Sequence, residues 1–210
     1  MSWRLRLVYA AGQLPEGIKS AAFGFFLLFY YNQVLGLSGS LAGLAVFVAL
    51  CLDAISDPIM GLIADRTSTR WGKYRPYLLW GAIPYGVLGY LMFAGPELSD
   101  TGKLIYAYVT YTGMMLAYTA VNVPYSALMG VISPSSIERC KVASYRFICA
   151  FAAGWLIATF VGPLKNILGG GDEAQGFRLT MFIFAILSVL LFWTTFATTR
   201  ERVSPTQDNN

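Results

Sequence analysis

The sequence predicts an all-α membrane protein that crosses the bilayer six times. Of its 210 residues, 56% are hydrophobic and only 12% are charged, whereas soluble domains carry about 25% charged residues. The mean hydropathy is +0.56. A spanning helix needs about 20 mostly apolar residues. Six segments meet this requirement, at about Ala10–Leu35, Ser40–Ile63, Pro76–Ala94, Leu104–Ile132, Val142–Ile167 and Phe177–Thr199.

The first segment follows Arg4 and Arg6, as the apolar part of a secretory signal peptide would. It stays apolar to about Leu35, however, which is longer than the roughly 7–15 residues of a signal-peptide core. We therefore expect a retained helix. The first, fourth and fifth segments are long enough to tilt or to bend, and each contains a residue at which a bend is expected: Gly24, Pro124 and Gly154.

Basic residues lie mostly in the loops on one side of the predicted membrane. If the N-terminus is cytoplasmic, the cytoplasmic segments hold ten Lys and Arg residues and the opposite loops hold three. Cytoplasmic loops of membrane proteins are enriched in these residues, so we expect both termini in the cytoplasm. The ten are Arg4, Arg6, Arg66, Arg70, Lys73, Arg75, Arg139, Lys141, Arg200 and Arg202, and the three are Lys103, Lys165 and Arg178.

Composition excludes several kinds of site. The sequence has no histidine, and its three cysteines form no CxxC pair. A histidine-based metal centre and a disulfide framework are therefore not expected. The net charge of +4 arises from short loops between apolar runs, so we expect no nucleic-acid partner, and we expect no cofactor.

Two aspartates, Asp53 and Asp57, lie within the second apolar segment. A carboxylate at membrane depth costs several kcal/mol unless a cation, a proton or a polar cavity compensates it. Four residues apart on a helix, the two side chains share one face, with Cβ atoms about 5–6 Å apart. Two negative charges this close in a low dielectric repel each other, so the pair requires a proton or a shared cation.

The region after these aspartates carries two motifs. Residues 53–61 read Asp-x-x-x-Asp-Pro-Ile-Met-Gly, and residues 70–76 read Arg-Trp-Gly-Lys-Tyr-Arg-Pro. Together they resemble the start of the helix-two to helix-three loop in the glycoside–pentoside–hexuronide:cation symporters, the melibiose-permease-like branch of the major facilitator superfamily. Similarity extends along the chain, including Tyr30-Tyr31, Gly36-Leu37-Ser38, Tyr118-Thr119, Pro124 and Tyr145-Arg146-Phe147.

The resemblance implies a transporter rather than an enzyme. Residues 1–200 would form the N-terminal six-helix bundle, built as a three-plus-three repeat, and residues 201–210 would be a polar tail that begins the central cytoplasmic loop. The implied function is cation-coupled transport of a sugar or glycoside across a bacterial inner or plasma membrane. The implied partners are a small sugar-like substrate, the coupling cation, the lipid bilayer and a second six-helix half on the same or a separate chain.

The resemblance also places the cation site. Asp53 and Asp57 occupy the positions that bind the coupling cation in relatives, which is Na⁺, Li⁺ or H⁺. Thr119 matches a family cation-site position, and Ser56 lies one residue before Asp57. Hydroxyl and carboxylate oxygens are the ligands that a hard cation prefers. We expect Na⁺ or H⁺ at these four residues, and the alternative is that Asp57 pairs with a cytoplasmic arginine.

The solute positions depart from the family pattern. The acidic residues of relatives on helix one and helix four fall here on Gly17 and Asn122. An amide still donates to and accepts from a sugar hydroxyl. Arg146 matches a family arginine of the sugar pocket, and Tyr118 is a further expected pocket residue. Membrane snorkelling of Arg146 is the alternative reading.

Glu16 and Lys19 lie beside these positions and are three residues apart on the first helix. They either pair with each other, or Lys19 is left to bind an anionic substrate such as a uronate. The departures at Gly17 and Asn122 also leave open a carrier for a non-sugar organic solute or lipid. A non-transporting regulatory subunit is the remaining alternative.

The loop between the second and third segments mixes acidic and basic residues. A positive-inside topology needs only the basic residues. The acidic residue, Asp65, therefore indicates a charge cluster that forms in one conformation and breaks in another. We expect Gly61 to permit close helix approach, and Asp65 to cap the next helix or to pair with a nearby arginine. The predicted gating residues are Gly61, Asp65, Arg66, Arg70, Gly72 and Lys73.

Overall fold

The named secondary-structure elements are all helices in the residues that the structure, a computed structural model, describes: 3–132 and 135–201. This confirms the all-α prediction. The α-helices are α1 (Trp3–Ala11), α2 (Leu14–Ala21), α3 (Gly39–Arg66), α4 (Arg75–Trp80), α5 (Ala82–Leu91), α6 (Asp100–Ile132), α7 (Ser136–Gly169) and α8 (Glu173–Thr198). Two π-helical segments, Ala22–Leu27 and Tyr30–Val34, continue the chain after α2.

Four of these helices, α3, α6, α7 and α8, are long and apolar enough to cross a membrane. The prediction of a membrane protein is therefore confirmed at this level. The first and third predicted segments are helical as well, but each is divided into shorter pieces. The count of six crossings stays a prediction.

The first predicted segment is interrupted where α1 ends and α2 begins. Pro15 lies in the first turn of α2, and because proline has no N–H it cannot continue the hydrogen-bond ladder of the preceding helix. Gly12 lies at the interruption, and a Cβ there would come within 2.8 Å of Thr195 Oγ1. The interruption therefore lets the first segment approach α8 closely. The predicted bend at Gly24 falls within the first π-helical segment.

The third predicted segment is divided at Gly81, between α4 and α5. Pro84 lies in the first turn of α5 and cannot donate to the carbonyl of Trp80. A Cβ at Gly81 would lie 2.6 Å from Val121 Cγ2 on α6. The break at Gly81 thus accompanies a close contact with α6.

The helices pack as a bundle around a buried aromatic core. α3 packs along α6, while α7 contacts both α2 and α8, and α5 lies against α6 and α8. Tyr30 lies fully buried, with its ring centroid 5.0 Å from that of Phe93 and 5.4 Å from that of Phe177. Many large apolar side chains point outward, among them Phe47, Leu62, Val87, Phe151 and Trp155, as expected for helices surrounded by lipid.

A second buried cluster joins α1 to α6. The rings of Tyr9 and Tyr125 stack with centroids 4.9 Å apart. Each hydroxyl donates to the backbone carbonyl of the other residue at 2.6 Å. At the same end of the bundle, Arg6 donates two hydrogen bonds to Glu138 at the start of α7, at 3.0 and 2.9 Å. These contacts fix the first helix against α6 and α7.

Candidate functional site

The two aspartates of α3 converge on one hydroxyl of α6. Thr119 Oγ1 lies 2.8 Å from Asp53 Oδ1 and 3.0 Å from Asp57 Oδ1, and it is the donor to these carboxylate oxygens. Ser56 Oγ donates to Thr119 Oγ1 at 3.3 Å and to the carbonyl of Asp53 at 3.2 Å. All four residues predicted for the cation site therefore lie together, and every polar side-chain atom at their contacts is an oxygen.

The sequence explains this convergence. Residues three and four positions apart lie on one helix face, so Ser56 and Asp57 project on the same side of α3 as Asp53. The packing of α3 along α6 brings that face to Thr119, which is 2% exposed. Pro58 follows within α3 and cannot donate to the carbonyl of Ala54. One further backbone oxygen close to the aspartates is thus left without its helical donor.

Tyr118, the residue before Thr119, belongs to a second group of hydrogen-bonded polar side chains. Tyr118 OH donates to Glu16 Oε1 at 3.0 Å and accepts from Asn122 Nδ2 at 2.9 Å. Glu16 lies on α2, whereas Tyr118 and Asn122 lie one turn apart on α6. These three predicted solute residues are therefore in direct contact, next in sequence to the hydroxyl shared by the aspartates.

Lys19 contacts an aromatic ring rather than a carboxylate. Its ammonium nitrogen lies 3.2 Å from the ring centroid of Tyr118 and 5.8 Å from that of Phe23. In the part of the chain that the structure describes, no ion pair within 4.0 Å joins Lys19 to Glu16. The ring quadrupole of Tyr118 attracts the cation. The direct Glu16–Lys19 pair is thus replaced by contacts that both residues make with Tyr118.

Arg146 on α7 completes the polar group. Its Nε donates to Gln13 Oε1 at 2.8 Å, and its Nη2 donates to Ser126 Oγ at 3.2 Å. The guanidinium carbon lies 4.5 Å from the ring centroid of Tyr125. Arg146 therefore turns into the bundle instead of extending to the membrane surface. A cavity of about 310 Å³ lies beside it, lined among others by Gln13, Glu16, Met129, Arg146, Phe147 and Ala150.

Gly17 has a packing role in the structure. A Cβ at this position would lie 2.6 Å from the carbonyl oxygen of Ala150 and 2.7 Å from Ala153 Cβ on α7. A side chain here would separate α2 from α7. The close contact of these helices thus accounts for a glycine at this position, from which no polar side chain can be presented.

The loop between α3 and α4 is held by a different set of partners from those expected. Asp65 accepts a hydrogen bond from Tyr74 OH at 2.7 Å and lies 3.5 Å from the Lys73 ammonium. Burial, together with the bond to Asp65, raises the pKa of Tyr74 to about 12. Arg66 and Arg70 are exposed, and Arg70 lies over the ring of Trp71 at 4.3 Å. Asp65 thus contacts Lys73 and Tyr74, not the two arginines.

Gly61 is not a point of closest approach. The nearest atom to a Cβ placed there is Val123 Cγ1 at 4.0 Å, which is an ordinary van der Waals distance. The expectation of a glycine-mediated helix contact at this position is therefore wrong in this conformation. Gly72, by contrast, requires glycine, since its φ of +109° is rarely adopted by other residues.

Glu201 is a residue of this region that sequence reasoning missed. Its carboxylate accepts backbone N–H bonds from Lys73 at 2.9 Å, from Tyr74 at 2.8 Å and from Arg75 at 3.3 Å. These N–H groups precede and begin α4, where a negative charge is favoured by the helix dipole. The sequence predicted residues 201–210 as a tail, but Glu201 is part of the loop contact. Residues 202–210 lie outside the described residues.

Gln13 is the second missed residue. It is 8% exposed and contacts both Arg146 and Glu16, donating its amide N–H to the latter. Neither Gln13 nor Glu201 belongs to a sequence motif. Pro15 is a local signal that could have located the helix interruption in which Gln13 lies. Glu201 has no such signal, because its partners lie 126–128 residues earlier in the chain.

Charged and hydrogen-bonded side chains inside an apolar helical bundle define an integral membrane protein of the transport class, because buried ionisable groups in membranes line solute and ion pathways. Comparison with known proteins agrees with that class. Residues 8–210 match the family described as MFS/sugar transport protein, and the chain belongs to this family, whose members are transporters and not enzymes. The resemblance to the glycoside–pentoside–hexuronide:cation symporters is thereby confirmed.

Three curated relatives illustrate the similarity. The chain is 39% identical over 97% of its length to the inner membrane symporter YicJ of Escherichia coli, covering 44% of that protein. It is 43% identical over 94% of its length to the putative glycoside/cation symporter YagG of Escherichia coli, covering 43%. It is 34% identical over 98% of its length to the isoprimeverose transporter of Lactiplantibacillus pentosus, covering 43%. The chain thus spans less than half the length of these relatives.

Proposed function

We propose that this chain is the N-terminal six-helix bundle of a symporter that couples the transport of a sugar or glycoside across the membrane to Na⁺ or H⁺. The names of two relatives, a glycoside/cation symporter and an isoprimeverose transporter, support the substrate class. The chain's coverage of less than half of each relative supports a second bundle in the complete carrier. Here "complete carrier" means the two-bundle protein.

One observation carries the proposal. Tyr118 and Thr119 are adjacent on α6, yet Thr119 contacts the two aspartates and Tyr118 contacts Glu16 and Asn122. One turn of α6 therefore contributes a residue to the proposed cation site and a residue to the proposed solute site. A symporter needs this proximity, because the two ligands must influence each other's binding.

The donor set of the first group fits a small hard cation. Asp53 and Asp57 supply carboxylate oxygens, and Thr119 and Ser56 supply hydroxyl oxygens. A hard cation such as Na⁺ would use these ligands, whereas a proton would bind to one of the carboxylates. A bound cation would supply the positive charge that offsets the repulsion between the carboxylates. Thr119 holds both carboxylates against α6 and so transmits their state to the helix that carries Tyr118.

The second group offers complementary partners for hydroxyl groups. Glu16 accepts hydrogen bonds, Arg146 donates them, and Asn122 does both. Hydrogen bonds to charged groups contribute roughly 1.5–3 kcal/mol each, so a few such bonds orient a sugar. Tyr118 supports this group by donating to Glu16, and Tyr125 lies beneath the Arg146 guanidinium, 4.5 Å from ring centroid to guanidinium carbon. The role of Lys19 in this scheme is to hold a positive charge over Tyr118, close to the carboxylates.

The loop that joins α3 to α4 is the proposed cytoplasmic gate. Glu201 at the end of α8 and Asp65 at the end of α3 both hold this loop. Separation of the bundle ends during alternating access would break these contacts, whereas closure would restore them. Both termini of the bundle would then lie in the cytoplasm, on the side where the basic loops are concentrated.

Asp57→Asn in the complete carrier tests the assignment. The substitution keeps the size of the side chain but removes its charge, so stimulation of solute uptake by Na⁺ or by a proton gradient is expected to be lost. Uptake of radiolabelled xylose, isoprimeverose and methyl glucoside in proteoliposomes measures the effect. Asp100→Asn is the matched control, since Asp100 is exposed at the start of α6, far from the site. Unchanged cation stimulation in the Asp57 variant would refute the cation site.

A further inference from the structure

Gln13 lies between two opposite charges. Its side-chain N–H donates to Glu16 Oε2, and its carbonyl oxygen accepts from Arg146 Nε at 2.8 Å. The amide therefore uses one end for the anion and the other for the cation, and reversing the amide would disrupt both bonds. Only 8% of the residue is exposed, so both ends of the amide depend mainly on these protein partners.

Without this amide, Glu16 and Arg146 would be free to pair directly. A carboxylate and a guanidinium form a strong two-bond pair when they meet, and such a pair would use up the atoms that face the cavity of about 310 Å³. With Gln13 between them, each keeps hydrogen-bonding capacity. Among residues 3–132 and 135–201, the hydrogen-bond acceptor of Arg146 Nη1 is the Met129 sulfur, at 3.9 Å, which is a weak acceptor.

Position in the chain reinforces this arrangement. Gln13 lies between α1 and α2, one residue after Gly12 and two before Pro15. The backbone N–H of Gln13 is bonded to the carbonyl of Ala10, and its carbonyl accepts from Gly17 N–H. The residue is therefore fixed at both its backbone and its side chain.

We infer that Gln13 is a positioning residue of the solute site, which keeps Glu16 and Arg146 apart so that both face the cavity and bind hydroxyl groups of one glycoside. This inference rests on the proposed function and adds a residue to the solute site. Gln13 acts through its two neighbours and is not assigned a contact with the solute.

Gln13→Met in the complete carrier tests the inference, because methionine keeps the length of the side chain and removes both hydrogen bonds. The probes are the p-nitrophenyl β-glycosides of glucose, xylose and glucuronic acid, with binding measured by calorimetry in detergent. We expect the Kd for the probe that the wild type binds most tightly to rise by about tenfold, which corresponds to ~1.4 kcal/mol. The matched control is Gln33→Met, for which we expect an unchanged Kd, because Gln33 is an exposed glutamine in the second π-helical segment.

A second variant separates positioning from packing. Arg146→Lys is combined with Gln13→Met, and the losses of affinity are compared. Residues that act as one unit give non-additive losses. We therefore expect the Kd of the double variant to exceed that of the single variant with the higher Kd by no more than about twofold. Fully additive losses would overturn the inference.

The test also covers an unfolded Gln13→Met variant and a carrier that binds none of the probes. If Gln13→Met unfolds, Gln13→Glu takes its place, since it retains the acceptor for Arg146 and places a like charge beside Glu16. An unchanged Kd in the folded variant overturns the role of Gln13 and leaves the proposed function standing. A wild-type carrier that binds none of the three probes overturns the proposed glycoside site and the role of Gln13 with it.

Discussion

A single hydroxyl, that of Thr119, contacts both carboxylates of α3. Its one proton serves two acceptors, so at any moment one of the carboxylates depends on another donor or on a cation. Ser56 adds a second hydroxyl at 3.3 Å. The geometry at this residue therefore connects the charge of the aspartates to the position of α6.

Replacing Thr119 by valine removes this connection with little change in shape. We expect the affinity of the complete carrier for Na⁺, or for the proton that replaces it, to fall by roughly tenfold, because hydrogen bonds to charged groups contribute ~1.5–3 kcal/mol each. The measurement is the cation concentration for half-maximal uptake. Thr194→Val is the control, since Thr194 is exposed and its hydroxyl donates within α8, to the carbonyl of Leu191 at 2.9 Å. An unaltered half-maximal concentration would contradict the role of Thr119.

Gly17 lies where α2 and α7 come into close contact. Gly17→Ala places a methyl group 2.6 Å from the Ala150 carbonyl oxygen, so we expect destabilisation of about 1–3 kcal/mol, typical of overpacking. Thermal unfolding of the purified protein measures it. Gly162→Ala on α7 serves as the control, because no atom lies within 4 Å of a Cβ there. Equal stability of the two variants would show that the close contact between α2 and α7 is dispensable.

At the level of elements, the loop between α3 and α4 depends on Glu201. Three consecutive backbone N–H groups point to this carboxylate, and Gly72 has no room for a side chain because a Cβ would lie 2.6 Å from Glu201 Cδ. Arg75 strengthens the junction by donating to the carbonyl of Phe196 at 2.7 Å. The loop is therefore attached to the end of α8 at two points.

Glu201→Ala is expected to release this loop. Trypsin cleavage after Arg70 and Lys73 should accelerate by several-fold, since proteolysis follows local opening. The rate is measured on the purified protein by mass spectrometry of the fragments. Glu97→Ala, in an exposed loop at the other end of the bundle, should leave the rate unchanged. Equal cleavage in wild type and Glu201→Ala would show that Glu201 does not restrain the loop.

Prediction from the sequence succeeded where a local pattern decides the structure. The long apolar runs identified α3, α6, α7 and α8, and helical spacing placed Asp53 and Asp57 on one face. The breaks at Gly12 and Gly81 were not predicted, because hydropathy alone does not register the missing N–H of Pro15 and Pro84. Glu201 was missed for a different reason: its partners lie 126–128 residues earlier in the chain and are brought close only by packing. Gln13 was missed because its partner Arg146 lies on a helix distant in sequence, although its other partner, Glu16, is three residues away.

At the scale of the whole molecule, the polar groups lie on a bundle with a largely apolar surface. Asp57 is exposed in this bundle, whereas Asp53 is half-buried. An exposed carboxylate in contact with lipid is unfavourable by several kcal/mol, so this face requires a polar cavity or a second bundle. An apolar groove of about 620 Å³ beside α2 and α7 includes Glu16 as well, and the proposed second bundle would cover it too.

The isolated bundle is therefore expected not to transport. Reconstituted alone in proteoliposomes, the 210-residue chain should show no cation-dependent uptake of glycosides, whereas the complete carrier should show it. Empty liposomes and the Asp57→Asn carrier provide the background. Cation-dependent uptake by the purified monomeric bundle would contradict the proposal that a second half encloses the solute.

The central claim is that the cation and the solute act on each other through α6. Calorimetry on the complete carrier tests it most directly, by measuring the solute Kd with and without saturating Na⁺ or at two pH values, and the cation Kd with and without saturating solute. Linkage requires the same factor in both directions, typically about 5–150-fold, and we predict that Thr119→Val reduces this factor towards one. Solute affinity that is independent of both Na⁺ and pH in the wild type would contradict the account.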